Sequence, residues 1–199
     1  MSSLLQILTF INHENVIKFD KRPFSSVEEM NQTLIKNWNS VVQPNDQVYI
    51  LGDFCWKTAQ DPQYVELLEI LRGHKHLIKG NHDPIKWTTT YAKRFESIND
   101  YKELKCDGKH LILSHYPILC YKADYNENCW MLHGHVHVTQ ENDFVQQWTK
   151  QLVSRKHKEG ENRGQIMNVG CMMPWMNYTP QPLDTIINAW GNIYKKENN

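Results

Sequence analysis

Short apolar runs recur along the chain at 4–10, 48–51, 77–79, 111–113, 130–132 and 166–169. Each is too short for a buried helix and predicts a strand. Asp107-Gly108, between 101–106 and 109–114, is a hairpin signal. Amphipathic stretches separate the earlier runs. Ser25 and Ser26 stand three residues ahead of Glu28 and Glu29, a capping-box pattern, and Met30, Leu34, Ile35, Trp38 and Val41 follow at helical spacing. Asp61-Pro62 pairs a capping residue with proline at the first helical position; Val65, Leu67, Leu68 and Leu71 continue the helix until Gly73. Segments 143–152 and 182–190 predict two more helices, 155–164 a solvated loop, and 195–199 a frayed end. Strand–helix units early and adjacent strands later predict a layered α/β or α+β fold.

Composition narrows the class without supplying chemistry. A chain of 199 residues predicts one domain spanning 1–199. Lys plus Arg and Asp plus Glu are 22 each, so the formal charge is zero, which argues against a nucleic-acid-coating protein or a polybasic membrane binder. Mean hydropathy is −0.63, and no apolar run approaches the ~20 residues a bilayer demands. The apolar start lacks a basic segment and a small-residue cleavage site, so it reads as a strand and not as a signal peptide. Five scattered cysteines without a CxxC pair suit a reducing compartment, and the expected location is cytoplasmic.

The informative residues follow the strands. Val48 to Leu51 runs into Gly52-Asp53, Leu77 to Lys79 into Gly80-Asn81-His82-Asp83, Leu111 to Leu113 into Ser114-His115, and Trp130 to Leu132 into His133-Gly134-His135-Val136-His137. Alone, Gly-Asp and Gly-Asn-His-Asp are ordinary turns, and a single histidine is ordinarily core or surface. Jointly, at strand ends where α/β sheets gather ligands, they form a candidate metal-ligand set. Glycines ahead of Asp53, Asn81 and His135 allow close backbone approach. In an extended segment, His135 and His137 would share a face. His74, His76, His110 and His157 lack such company and read as packing or surface.

Together these motifs, with Ser114-His115-Tyr116-Pro117, resemble the calcineurin-like metallophosphoesterases, in particular small bacterial and phage members without a cap domain. The likeness runs from His13-Glu14-Asn15 through Asn168-Val169-Gly170 to Tyr178-Thr179-Pro180. It implies a four-layer α/β/β/α sandwich, two mixed sheets flanked by helices, with two divalent metals at the strand ends, and phosphomonoester or phosphodiester hydrolysis by metal-activated water. The resemblance also assigns roles. Asp53 bridges the metals; Asn81, His115 and His135 complete the second metal's shell; and His137 serves the first. His82 is the leaving-group acid, and Asp83 holds its imidazole. The mixed donor set suits Mn²⁺, Fe or Zn²⁺, and family usage favours manganese. The expected partner is a small phosphoester, without nucleic acid or membrane.

One departure stands out. The family's Asp-x-His at the end of the first strand would fall on Leu8 and Phe10, and no Asp, Glu or His precedes His13. The first metal keeps only Asp53 and His137, so a weak first site is expected, unless Asn12, His13 or Glu14 swings in. Arg22 is a candidate phosphate donor but reads more simply as a surface arginine. Cys55 and Trp56 follow Asp53 without an assigned role. A metal-binding scaffold with little or no turnover is the competing functional reading.

Overall fold

In the computed structural model, residues 3–6, 14–54, 62–83, 89–154 and 164–194 are described. Leu8, Phe10, Asn12, His13, Cys55, Trp56, Asp61 and His157 lie outside them, as do the predicted loop over 155–163 and the terminal 195–199. The elements are β1 (Ser3–Gln6), α1 (Glu14–Phe19), α2 (Val27–Val41), β2 (Gln47–Ile50), α3 (Pro62–Ile70), β3 (His74–Ile78), α4 (Thr89–Ala92), β4 (Ser97–Asn99), β5 (Tyr101–Cys106), β6 (Lys109–Ser114), β7 (Cys129–His133), α5 (Gln140–Ser154), β8 (Ile166–Asn168), β9 (Gln181–Pro182) and α6 (Leu183–Tyr194).

Two mixed sheets form. One has the order β4-β3-β2-β1-β9, parallel except for β9; the other is β5-β6-β7-β8, parallel except for β5. With flanking helices this is the expected α/β/β/α sandwich. The strands read as unbroken apolar runs because both faces of the central ones are buried. Their period of two distributes residues among separate cores. Val48 and Ile50 face α1 to α4 with Met30, Leu34 and Trp38, whereas Tyr49 and Leu51 join Leu111, Leu113, Trp130 and Leu132 in another core. Ile112 and Met131 point the other way, toward Val145 and Leu152 of α5.

Local signals act as their chemistry demands. Ser26 caps α2 by accepting the Glu29 N–H at 3.1 Å, and Glu29 accepts from the Ser25 N–H and hydroxyl at 2.7 and 2.6 Å. Asp107 and Gly108 take φ of 48° and 74° and pair Cys106 with Lys109, closing the hairpin. The short α1, α4, β4 and β9 carry too little periodicity to be read from sequence; β9 ends in a proline on a sheet edge, where a missing N–H is tolerated. Helices α5 and α6 are longer than the predicted 143–152 and 182–190. Among the described residues, no helix is long and apolar enough to cross a membrane.

Candidate metal centre

Four strand ends deliver the site. The turns after β2 and β3 approach so closely that only glycine fits at two places. A Cβ on Gly80 would land on the Asp53 carboxylate and backbone, and one on Gly52, where φ is +89°, would strike the His115 ring and lie 2.8 Å from the Gly80 backbone. Asp83 ties these turns together. Its Oδ2 accepts the N–H groups of Asp53 and Gly80, both at 2.8 Å, and its Oδ1 accepts that of Phe54 at 2.9 Å. The geometry therefore gives Asp83 a backbone-anchoring task, in addition to any part it takes in orienting His82.

Four atoms then converge. His115 Nε2 lies 3.0 Å from Asn81 Oδ1, 3.2 Å from Asp53 Oδ2 and 3.2 Å from His135 Nδ1. Asp53, His115 and His135 together offer ligand atoms that all fall within 4.8 Å of one another. The His115 Nδ1–H donates to the Leu51 carbonyl at 2.8 Å, which fixes the neutral tautomer with its lone pair on Nε2. A carboxylate oxygen, an amide oxygen and imidazole lone pairs facing one point repel each other unless something positive lies among them. A divalent cation meets that demand, so the donor set fits the metal that the sequence implies.

Without a metal, a proton does the same work. Burial pushes the His115 imidazole down from 6.5, but the adjacent Asp53 carboxylate outweighs it and the net shift is upward. Burial raises Asp53, whereas His115 and the His82 N–H, 2.9 Å from Oδ1, lower it further, so the carboxylate stays ionised. His135 is lowered, chiefly by burial and then by His115. The raised His115 value means that the ion pair's stabilisation of the metal-free fold is fully present below pH 6.5 and fades as pH rises through the higher, folded-state value. Metal must displace this proton, so affinity falls as pH is lowered. Calorimetry at pH 6.5 in buffers of different ionisation enthalpy is expected to report net proton release on metal binding. A binding heat independent of buffer would show that His115 enters neutral.

Backbone strain marks the same residues. Asp53, His135 and His137 take φ of 53°, 63° and 32°, left-handed values that non-glycine residues adopt only where surroundings enforce them. This corrects the expectation that His135 and His137 share a face of an extended segment. Strand β7 ends at His133, and the two histidines sit in a turn whose left-handed residues break the alternation. His135 reaches the four-atom cluster. His137 meets Asp20 instead, with Nδ1 3.0 Å from both carboxylate oxygens.

Asp20 is the residue that the sequence reading missed. Its buried carboxylate also takes Arg22 Nε and Nη2 at 3.0 and 2.8 Å. Burial raises it, but His137 and then Arg22 hold it below the usual carboxylate value. Arg22 is consequently no surface arginine; it is 4% exposed, and its fork is turned onto Asp20. The available signal was an acid two residues ahead of an arginine, a pattern too common to single out. Glu14 does not swing in, because its carboxylate pairs with Lys18 at 3.2 Å on the surface. Asn81 and His82 are exposed at the rim, beside Tyr116, whose ring contacts His135 and His115 with centroids 4.5 and 5.1 Å apart. Beneath them His133 is fully buried and held neutral, lowered to about 4 by burial. His74, His76 and His110 pair with Glu96, Ser97 and Glu103, away from the cluster.

Comparisons with known proteins give one family model and several relatives of undescribed activity. The family model for calcineurin-like phosphoesterases matches residues 13–188, beginning past Leu8 and Phe10. An uncharacterized protein of Methanocaldococcus jannaschii is 34% identical over 179 residues, covering 90% of this chain and 85% of that one. The gene 66 protein of Mycobacterium phage L5 is 28% identical over 152 residues, covering 64% of this chain and 73% of that one. Among solved structures, a protein of unknown function from Aquifex aeolicus superposes with a TM-score of 0.65 at 25% identity, covering 94% of this chain and 98% of that one.

Proposed function

The chain belongs to the calcineurin-like phosphoesterase family, and from that premise we propose that it hydrolyses a small phosphomonoester or phosphodiester with a divalent metal held by Asp53, Asn81, His115 and His135. The observation that carries this reading is the convergence of four electron-pair donors on one point beside an exposed histidine, His82. A cation held there supplies Lewis acidity toward a phosphoryl oxygen and toward water. The remaining work belongs to the chain. Asp53 offsets the positive charge and, through Oδ1, accepts the His82 N–H and so sets where that residue stands on the rim. His82 is the general acid that returns a proton to the leaving oxygen, which would otherwise depart as a costly alkoxide. Asp20 keeps the His137 proton on Nδ1, so that the ring's lone pair lies on Nε2, the nitrogen suited to a first-metal contact. Manganese is the proposed ion, with iron or zinc compatible with the same donors. The cytoplasm is the proposed location, since the four described cysteines, Cys106, Cys120, Cys129 and Cys171, are reduced thiols.

Hydrolysis of bis-p-nitrophenyl phosphate and p-nitrophenyl phosphate with Mn²⁺ tests the reading. Wild type is expected to turn over at least one of them, and His82→Ala to lose about 100-fold, the usual contribution of a general acid. Absence of turnover above a metal-only blank would favour the scaffold reading, whose support is the Leu8 and Phe10 pair in place of Asp-x-His. Elemental analysis after dialysis is expected to find one tightly held metal per chain, because the first site is left with Asp53 and His137. Two full equivalents would show that another ligand completes it.

A further inference from the structure

A groove of about 550 Å³ opens directly from the metal centre, with His135 forming a wall of both. Tyr116 and Val136 continue that wall, and Phe144, Gln140 and Glu141 come from the first turns of α5. The lining is mostly apolar, yet its two aromatic residues are largely open to solvent: Tyr116 is 49% exposed and Phe144 59%. Phe144 lies off the buried stripe of α5, which runs through Asn142, Val145, Thr149 and Leu152, so packing of the fold does not require it. The volume falls in the range of small-molecule sites.

We propose that this groove seats the organic part of the phosphoester, and that this part is a planar nitrogen heterocycle of the nucleobase kind, resting on the Tyr116 and Phe144 rings. The inference builds on the phosphohydrolase reading and extends it to substrate class. Continuity decides the occupant's role: a group esterified to phosphorus at the cation site is covalently tethered at the groove's mouth. Charge decides its character. Lys and Arg are absent from the groove's described lining, and the Glu141 carboxylate repels a second phosphate or sulfate. An alkyl chain would use the apolar wall but make no hydrogen bond to the Gln140 amide or to the acceptor capacity that the Thr139 bond leaves on the Glu141 carboxylate. A heterocycle uses all of it, since every base has a stacking face and an amino edge donates to a carboxylate or amide oxygen.

The test compares p-nitrophenyl diesters of phosphate whose second group is adenosine, methyl or octyl, on the full chain with Mn²⁺. The leaving group stays constant, so kcat/KM reports the second group. Wild type is expected to favour the adenosine ester over both others by about tenfold or more, and Phe144→Ala to erase about tenfold of that preference. Preference for octyl, or equal rates for all three, would overturn the proposal. If no ester is turned over, the phosphohydrolase reading fails, and the groove is judged by binding alone. Adenosine added to the metal-free protein is expected to shift the Tyr116 and Phe144 ring resonances in NMR spectra. Rings that stay unmoved at millimolar adenosine would overturn the groove assignment independently of activity.

Discussion

Asp53→Asn is expected to lower turnover by about 10³-fold or more, equivalent to about 4 kcal/mol of transition-state stabilisation, and to release the tightly held metal. The substitution is nearly isosteric, and the retained oxygen can still accept the His82 N–H that Oδ1 now takes at 2.9 Å. The change falls on the other side of the group. Where Oδ2 faces His115 Nε2 at 3.2 Å, an amide NH₂ donates to the imidazole lone pair and fills by hydrogen bonding the space a cation requires. The negative charge that offsets the metal is lost in the same step. His115, freed of its carboxylate, is expected to drop below 6.5, because burial is then the dominant influence. Metal titration, steady-state rates and a His115 NMR titration on one preparation check all three. A variant that keeps both metal and turnover would remove Asp53 from the site.

Asp83→Ala is expected to cost about 4 kcal/mol of stability, since three backbone N–H groups, those of Asp53 and Phe54 buried and that of Gly80 half-buried, lose a charged acceptor at roughly 1–3 kcal/mol each, less the carboxylate's own burial cost. For a chain of this size that corresponds to a fall of about 10 °C in Tm. The loss is expected in metal-free protein too, because the groups released belong to Asp53, Phe54 and Gly80, which hold the turns after β2 and β3 in register. Asp83→Asn is expected to fall between, with one oxygen kept and an NH₂ turned against a backbone donor. Thermal melts with and without Mn²⁺ separate this from a purely catalytic role. An unchanged melt with a reduced kcat would show that Asp83 acts chiefly on His82.

Several parts of the protein are legible in one dimension because their causes are local. The Ser25-Ser26 cap, proline at the start of α3, the Asp107-Gly108 hairpin and the buried strands each depend on a few neighbouring residues. The converging donor set was legible for a different reason. Asp53, Asn81, His115 and His135 each follow an apolar run, and strands that run parallel within a sheet bring such ends to a common edge. Asp20 was not legible, because nothing near it in sequence reveals that it meets His137, 117 residues away. Nor was the turn at His135 and His137, where left-handed φ values imposed by the surrounding turns override the strand's alternation.

The amino-acid sequence by itself determined the family, the layered α/β class and which side chains are available to grip a metal, since residue type and spacing suffice for these. Tertiary structure alone decided that Asp83 braces two backbone turns, that Arg22 is buried against Asp20, and that an aromatic groove adjoins the candidate metal centre. Those outcomes depend on contacts between segments far apart in the chain, formed only when both sheets and their helices have packed.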